Sequence, residues 1–227
     1  VGDSNKMKVI AFNGSPRKEW NTATLLQKAL EGAESQGAET ELIHLYDLNY
    51  NGCISCLECK RLNGKNYGKC NLNDDLTPFL DNINNYDAIF LGSPNYVGTI
   101  TGKAKLFIER LIYPYVAYKK DFPATLFNGE LKVGFIYTMS SNESWMHTWN
   151  YDKVATDIKL LFEMMFGEAE SLIVNDTTLF EDHSKYLTER FDPEAKAKTR
   201  KEEFPKDCDK AFKMGQKFIS KRKSKFK

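Results

Sequence analysis

The chain has 227 residues, 41% of them hydrophobic and 28% charged, and its 32 basic and 31 acidic side chains leave a net charge of +1. That balance suits a globular chain with one sizeable core and gives no broad electrostatic footprint for nucleic acid, which normally requires a basic face or stripe. No apolar run approaches the length of about 18 residues needed to cross a membrane, and no charged head with an apolar core resembles a secretory signal, so a cytoplasmic home is expected.

Residues 1–6, VGDSNK, precede Met7 and read as a disordered leader or a cloning remnant, which leaves 7–227 as a single expected domain. MKVIAFNGSP (7–16) is a buried strand running into a sharp loop. NTATLLQKALEGAESQG (21–37) carries Leu25, Leu26, Ala29 and Leu30 at helical spacing, with Gly37 as a stop. AETELIHLYDL (38–48) is a second strand, and DLTPFLDNINNY (75–86) is a helix with Asp74 or Asp75 as its cap. DAIFLGSPNYVGTI (87–100) repeats the strand-into-loop pattern and leads into the helix TGKAKLFIERLIY (101–113). LKVGFIYTM (131–139) is a fourth strand, 150–167 a helix, ESLIVND (170–176) a short fifth strand, and 206–221 a closing helix. The polar stretch 176–204 reads as a surface excursion, and the basic run 221–227 as a solvated tail.

Five strands alternating with helices imply an α/β fold: a parallel sheet covered on both faces, because parallel neighbours need crossovers that lay helices over the sheet. The expected strand order is 2-1-3-4-5. Ligands of such sheets collect beyond the carboxyl ends of the strands where the order reverses, here between strands one and three. The loops that trail those strands, FNGSPRKEWNTAT (12–24) and LGSPNYVGTITG (91–102), are rich in small and polar residues.

In the first loop Ser15, Arg17, Lys18, Asn21, Thr22 and Thr24 stand where a helix begins, and unpaired amides with the positive end of the helix dipole suit an anion there. Neither G-x-x-x-x-G-K-[ST] nor G-x-G-x-x-G is present, so a terminal phosphate monoester fits better than a nucleoside triphosphate or a standard dinucleotide. The plainer alternative makes Asn21 or Thr22 a helix cap and Arg17 a solvated side chain. In the second loop Pro94, Asn95, Tyr96, Val97 and Gly98 set backbone donors beside an aromatic ring, which could bound a flat heterocycle with a polar edge.

NGSPRKEWNTATLL, then a cysteine loop ending GKCNLNDDL, then YDAIFLGSPNYVGTITGKAKLFIERL together resemble the NADPH-dependent FMN reductase family of the flavodoxin-like fold, particularly its iron-sulfur flavoprotein branch. The resemblance covers roughly positions 7–140 and implies a flavodoxin-like three-layer sandwich that binds FMN. It places the phosphate at Ser15, Arg17, Asn21, Thr22 and Thr24 and the ring along Pro94, Asn95, Tyr96, Val97 and Gly98, with Thr138, Met139 and Ser140 as a third side. It further implies NAD(P)H as co-substrate, hydride transfer to flavin N5, no catalytic side chain, a small-molecule or redox-protein acceptor, and a homodimer or homotetramer. The alternative is a non-catalytic electron carrier of the flavodoxin or iron-sulfur flavoprotein kind, although such carriers are generally smaller and more acidic.

Four of the five cysteines fall within 51–70, with Cys53, Cys56 and Cys59 at every third residue and Cys70 eleven positions later. Clustering in one loop and an odd total argue against a disulfide framework. Three uses remain open. The spacing suits small buried or redox thiols on one face of a short helix, the reading the residues favour. It also suits a 4Fe-4S cluster in the expected loop 47–73, although the last gap is longer than is usual in the similar proteins, and less well zinc. His44, His147, His183 and Cys208 stand apart and read as structural or exposed.

Overall fold

A computed structural model of the chain describes residues 6–121 and 124–220. The expected leader, apart from Lys6, and the basic run 221–227 lie outside the described residues. Strands β1 (Lys8–Asn13), β2 (Glu39–His44), β3 (Ala88–Pro94), β4 (Leu131–Thr138) and β5 (Gly167–Val174) form one parallel sheet in the order β2-β1-β3-β4-β5. The strand order and the flavodoxin-like layering are those the sequence implies. β1 and β3 are buried almost throughout because helices cover both faces, whereas the edge strands β2 and β5 remain partly open. Asn13 pairs in register with Gly92, and Pro94 with Thr138, so the carboxyl ends of β1, β3 and β4 finish close together.

Alternate residues of each strand face opposite layers. Val9, Ala11 and Phe90 meet α1 (Asn21–Glu34) and α7 (Phe204–Ser220) on one side. Ile10, Phe12, Ile89 and Leu91 meet α3 (Gly102–Ile112) and α5 (Tyr151–Phe166) on the other. α1 and α7 cross with their backbones in contact: a Cβ on Gly32 would lie 2.0 Å from the Phe212 carbonyl oxygen, and one on Gly215 1.8 Å from that of Ala29. Only glycine permits that approach on both helices.

Four elements differ from expectation. The helix expected over 75–86 shrinks to α2 (Thr77–Asp81) and a 3-10 turn, Ile83–Asn85. There Asn82 and Asn85 divert their amides to the Pro78 carbonyl and the Asn82 side chain, the local competition by which asparagine disfavours helix. β5 starts at Gly167, before the expected position 170, because Gly167 takes φ 105° and turns the chain directly out of α5. Helices α4 (Glu143–Thr148) and α6 (Pro193–Glu202) were not anticipated. Asp192 caps α6 by accepting from the amides of Glu194 and Ala195 at 2.9 and 3.2 Å, and Pro193 occupies its first turn. No helix among the described residues is long and apolar enough to cross a membrane.

Candidate functional site

The two loops at the reversal point are fastened to each other. The Gly14 amide donates to the Gly92 carbonyl at 2.8 Å, and Thr101 Oγ1 donates to the Gly14 carbonyl at 2.7 Å. Asn13 Oδ1 accepts from the Ser15 amide at 3.0 Å, and Ser15 Oγ accepts from the Arg17 amide at 3.1 Å, which folds the chain sharply into α1. α1 begins behind Trp20, which gives no side-chain cap, and its first turn carries no acidic residue. The opening amides of a 14-residue helix therefore lack a capping side chain, at the end where the helix dipole is positive.

Ser15, Asn21 and Thr22 are buried at this helix start, and Thr22 Oγ1 lies 2.8 Å from Thr138 Oγ1 of β4. Asn21 donates from Nδ2 to the Thr178 carbonyl at 2.9 Å and accepts at Oδ1 from Arg200 Nη1 at 2.7 Å. Arg17 donates to the Leu179 carbonyl at 2.6 Å and lies over the Trp20 ring, while Thr24 donates to the Trp20 carbonyl at 3.1 Å. The structure thus gathers Ser15, Asn21, Thr22 and Thr138, and commits Arg17 and Thr24 to backbone carbonyls. The surface excursion also proves to be bound to this site: residues 178 and 179 take hydrogen bonds from Trp20, Asn21 and Arg17.

Across the crevice the Asn95 amide donates to the Thr138 carbonyl at 2.7 Å, Tyr96 and Thr99 bond to each other, and Asn95 Oδ1 accepts from the Gly98 amide at 3.0 Å. Pro94 ends β3 half-buried, Tyr96 is partly exposed, and Val97 is fully exposed at φ 52°. A β-branched residue in the left-handed region is strained, as residues at binding sites often are. Asn95 Nδ2 is buried without a hydrogen-bond partner. The Tyr137 hydroxyl beside it is pushed up in pKa by burial, with Tyr151 adding to the rise and Asn95 opposing it. The loop after β4 serves the excursion: the Met139 amide donates to Val174, its carbonyl accepts from Thr177, and the Ser140 carbonyl accepts from buried Lys196 at 2.5 Å.

The four clustered thiols line one cavity together with Leu72, Arg110 and Tyr113. Cys59 is buried, Cys70 half-buried, and Cys53 and Cys56 exposed. The long return to Cys70 closes because Gly68, at φ 76°, brings its amide to the Cys59 carbonyl at 2.9 Å. Ser55 and Leu57, set between the cysteines, also take left-handed φ, the kind of geometry found in backbone nests that hold anions and iron-sulfur sites. Burial pushes the Cys59 thiol up, Lys60 opposes this, and Cys53, Cys56 and Cys70 add to the rise. Among the described residues no three His, Cys, Asp or Glu side chains are set to hold a metal ion. A ready-made zinc site is therefore absent from them, whereas a cubane spreads its four thiolates more widely than one tetrahedral ion does.

Residues that sequence reasoning passed over hold the cysteine loop in place. Lys60 Nζ donates to the carbonyls of Tyr113, Pro114 and Val116, the last two at 3.1 and 2.6 Å. Fully buried Arg110 pairs with Asp74, whose sequence position suggests only a helix cap. Arg200, which acts at the start of α1 rather than at the cysteine loop, also escapes sequence reasoning, since its bond to Asn21 spans 179 positions. The D-P pair at 192–193 signals a helix start, but no local signal ties that helix to Asn21 or α3 to Asp74.

The family model described as NADPH-dependent FMN reductase matches residues 7–141. An iron-sulfur flavoprotein of Methanocaldococcus jannaschii is 41% identical over 104 residues, covering 46% of this chain and 51% of the relative. One from Archaeoglobus fulgidus is 38% identical over 104 residues, covering 46% and 48%. The chain thus spans about half the length of these curated relatives. Among solved structures, the NAD(P)H:quinone oxidoreductase from Methanothermobacter marburgensis superposes with a TM-score of 0.67 at 16% identity, over 93% of this chain and 96% of that one, a likeness of fold.

Proposed function

The chain belongs to the NADPH-dependent FMN reductase family, and from that premise we propose that it is an FMN-dependent oxidoreductase that takes electrons from NAD(P)H. The observation that carries this is the uncapped start of α1 facing the strained 94–98 turn across the reversal point of the sheet. Bound FMN supplies the chemistry, accepting a hydride at N5 and releasing electrons to an acceptor. The opening amides of α1, with Ser15, Asn21 and Thr22, would hold its terminal phosphate, and Arg17 would add positive charge from beside Trp20. Pro94, Asn95, Tyr96, Val97 and Gly98 would flank the ring, and the buried Asn95 Nδ2, which makes no close hydrogen bond beyond the approach of the Tyr137 hydroxyl, offers a donor. Thr138 would close the third side, while Met139 and Ser140 hold the excursion through Thr177 and Lys196.

The cysteine loop would hold a 4Fe-4S cluster through Cys53, Cys56, Cys59 and Cys70. Four thiols on one cavity, the Gly68 return and the names of the relatives favour this over inert buried thiols. Such a cluster would supply one-electron redox chemistry, with the four thiolates as its ligands. The same cavity supports a second function, a non-catalytic electron carrier. Anaerobic mixing with NADPH separates the two: rapid bleaching of the flavin absorbance is expected of the reductase, and a flavin that stays oxidised would contradict it.

A further inference from the structure

Arg110 is fully buried on α3, and its guanidinium is only partly used. Nη1 donates to Asp74 and to the Asn51 carbonyl at 3.2 Å, and Nη2 reaches the Leu72 carbonyl and Thr77 Oγ1 at 3.5 and 3.4 Å. Nε is buried and has no hydrogen-bond partner. The residue lines the four-cysteine cavity, and Cys70 is close enough to act on its guanidinium both through charge and as a hydrogen-bond acceptor, although no bond to Nε meets strict geometry. A guanidinium keeps its charge under all conditions relevant to a protein, so this is a fixed positive charge with a spare donor at a wall of thiols. Asp74 balances it from the side of α2, and Glu109 accepts from the Cys53 amide at 3.3 Å. Lys60 is the other cation of the loop, but its ammonium is spent on three carbonyls.

We propose that Arg110 tunes the metallocluster site: its buried charge and free Nε–H face the thiolate-lined cavity and raise the one-electron reduction potential of a cluster held there. The proposal rests on the cluster reading above. Adding an electron makes a thiolate-bound cluster more negative, so a nearby cation and a donor to sulfur stabilise the reduced form more than the oxidised one. An unpartnered buried N–H is also costly until it finds an acceptor, which a cluster sulfur would supply.

The test is an anaerobic potentiometric titration of the cluster, followed by electron paramagnetic resonance, in protein reconstituted with iron and sulfide. Arg110→Met should shift the reduction equilibrium about tenfold toward the oxidised form, ~59 mV more negative for one electron. Asp74→Asn, which leaves the cation unbalanced, should shift it the opposite way. Arg110→Lys keeps a charge but loses the Nε donor; it should give a smaller negative shift and stands in if Arg110→Met does not fold. Loosening of the loop would move both sites' variants in one direction, and that outcome, or equilibria within twofold of wild type, overturns the role of Arg110. Wild-type protein that takes up no iron and sulfide overturns the cluster reading together with it.

Discussion

Lys60 clips the cysteine loop to the segment that follows α3, and its removal gives a measurable local loss. Its ammonium donates to three carbonyls in 113–116 and lies 4.7 Å from the Tyr113 ring centroid. Burial lowers its pKa, with Cys59 and Cys53 opposing, so the site pays a desolvation cost that the hydrogen bonds must exceed. Hydrogen bonds to a charged group contribute about 1.5–3 kcal/mol each. Three at the low end come to about 4.5 kcal/mol, and the desolvation cost together with the water the carbonyls regain once the loop lifts reduces the net to about 3 kcal/mol. Lys60→Met should then raise the local opening equilibrium of 51–70 by roughly two orders of magnitude. The Gly68 amide, which donates to Cys59, reports this directly by hydrogen exchange. Its exchange should accelerate about 100-fold while amides of β1 and β3 keep their protection. Gly68 exchange within threefold of wild type would refute the clip.

Three other variants probe separate parts of the molecule. Asn21→Asp places a carboxylate at the start of α1; its repulsion of a phosphate should weaken FMN binding at least about tenfold by fluorescence titration, and unchanged affinity would remove the phosphate from that helix end. Gly215→Ala forces a Cβ onto the Ala29 carbonyl and should cost about 1–3 kcal/mol, read as a lower urea midpoint at unchanged slope. Asp74 is pushed up by burial but held below the usual carboxylate range on balance by its hydrogen bond to Arg110, that residue's charge and the amides of Leu76 and Asn51. Because the folded value is the lower one, its contribution is present above about pH 4 and is lost as pH falls through the folded pKa. Asp74→Asn should therefore flatten the acid limb of a Tm-against-pH profile, and a limb of wild-type steepness would contradict the pairing.

The sheet was legible because β1 and β3 are doubly covered and so read as continuous apolar runs, each broken by a loop of small and polar residues. Ser15, Asn21 and Thr22 were legible for a related reason: a helix start after a buried strand fixes where their side chains stand. Arg17 looked equally well placed, yet its guanidinium goes to the Leu179 carbonyl, a partner 162 positions away that no periodicity announces. The same limit hid Arg200 and Arg110, whose bonds to Asn21 and Asp74 join segments with no common pattern. The excursion read as surface because α6 is polar nearly all round; its role lies in backbone carbonyls at 178 and 179, which carry no side-chain signal.

The central claim is that a flavin sits at the reversal point with its phosphate on the start of α1. Calorimetric titration with FMN and, separately, with riboflavin tests it most directly, since the two differ only by that phosphate. Saturable FMN binding at one site per chain, with riboflavin at least about a hundredfold weaker, is the expected result; equal affinities, or no heat with either, would contradict it.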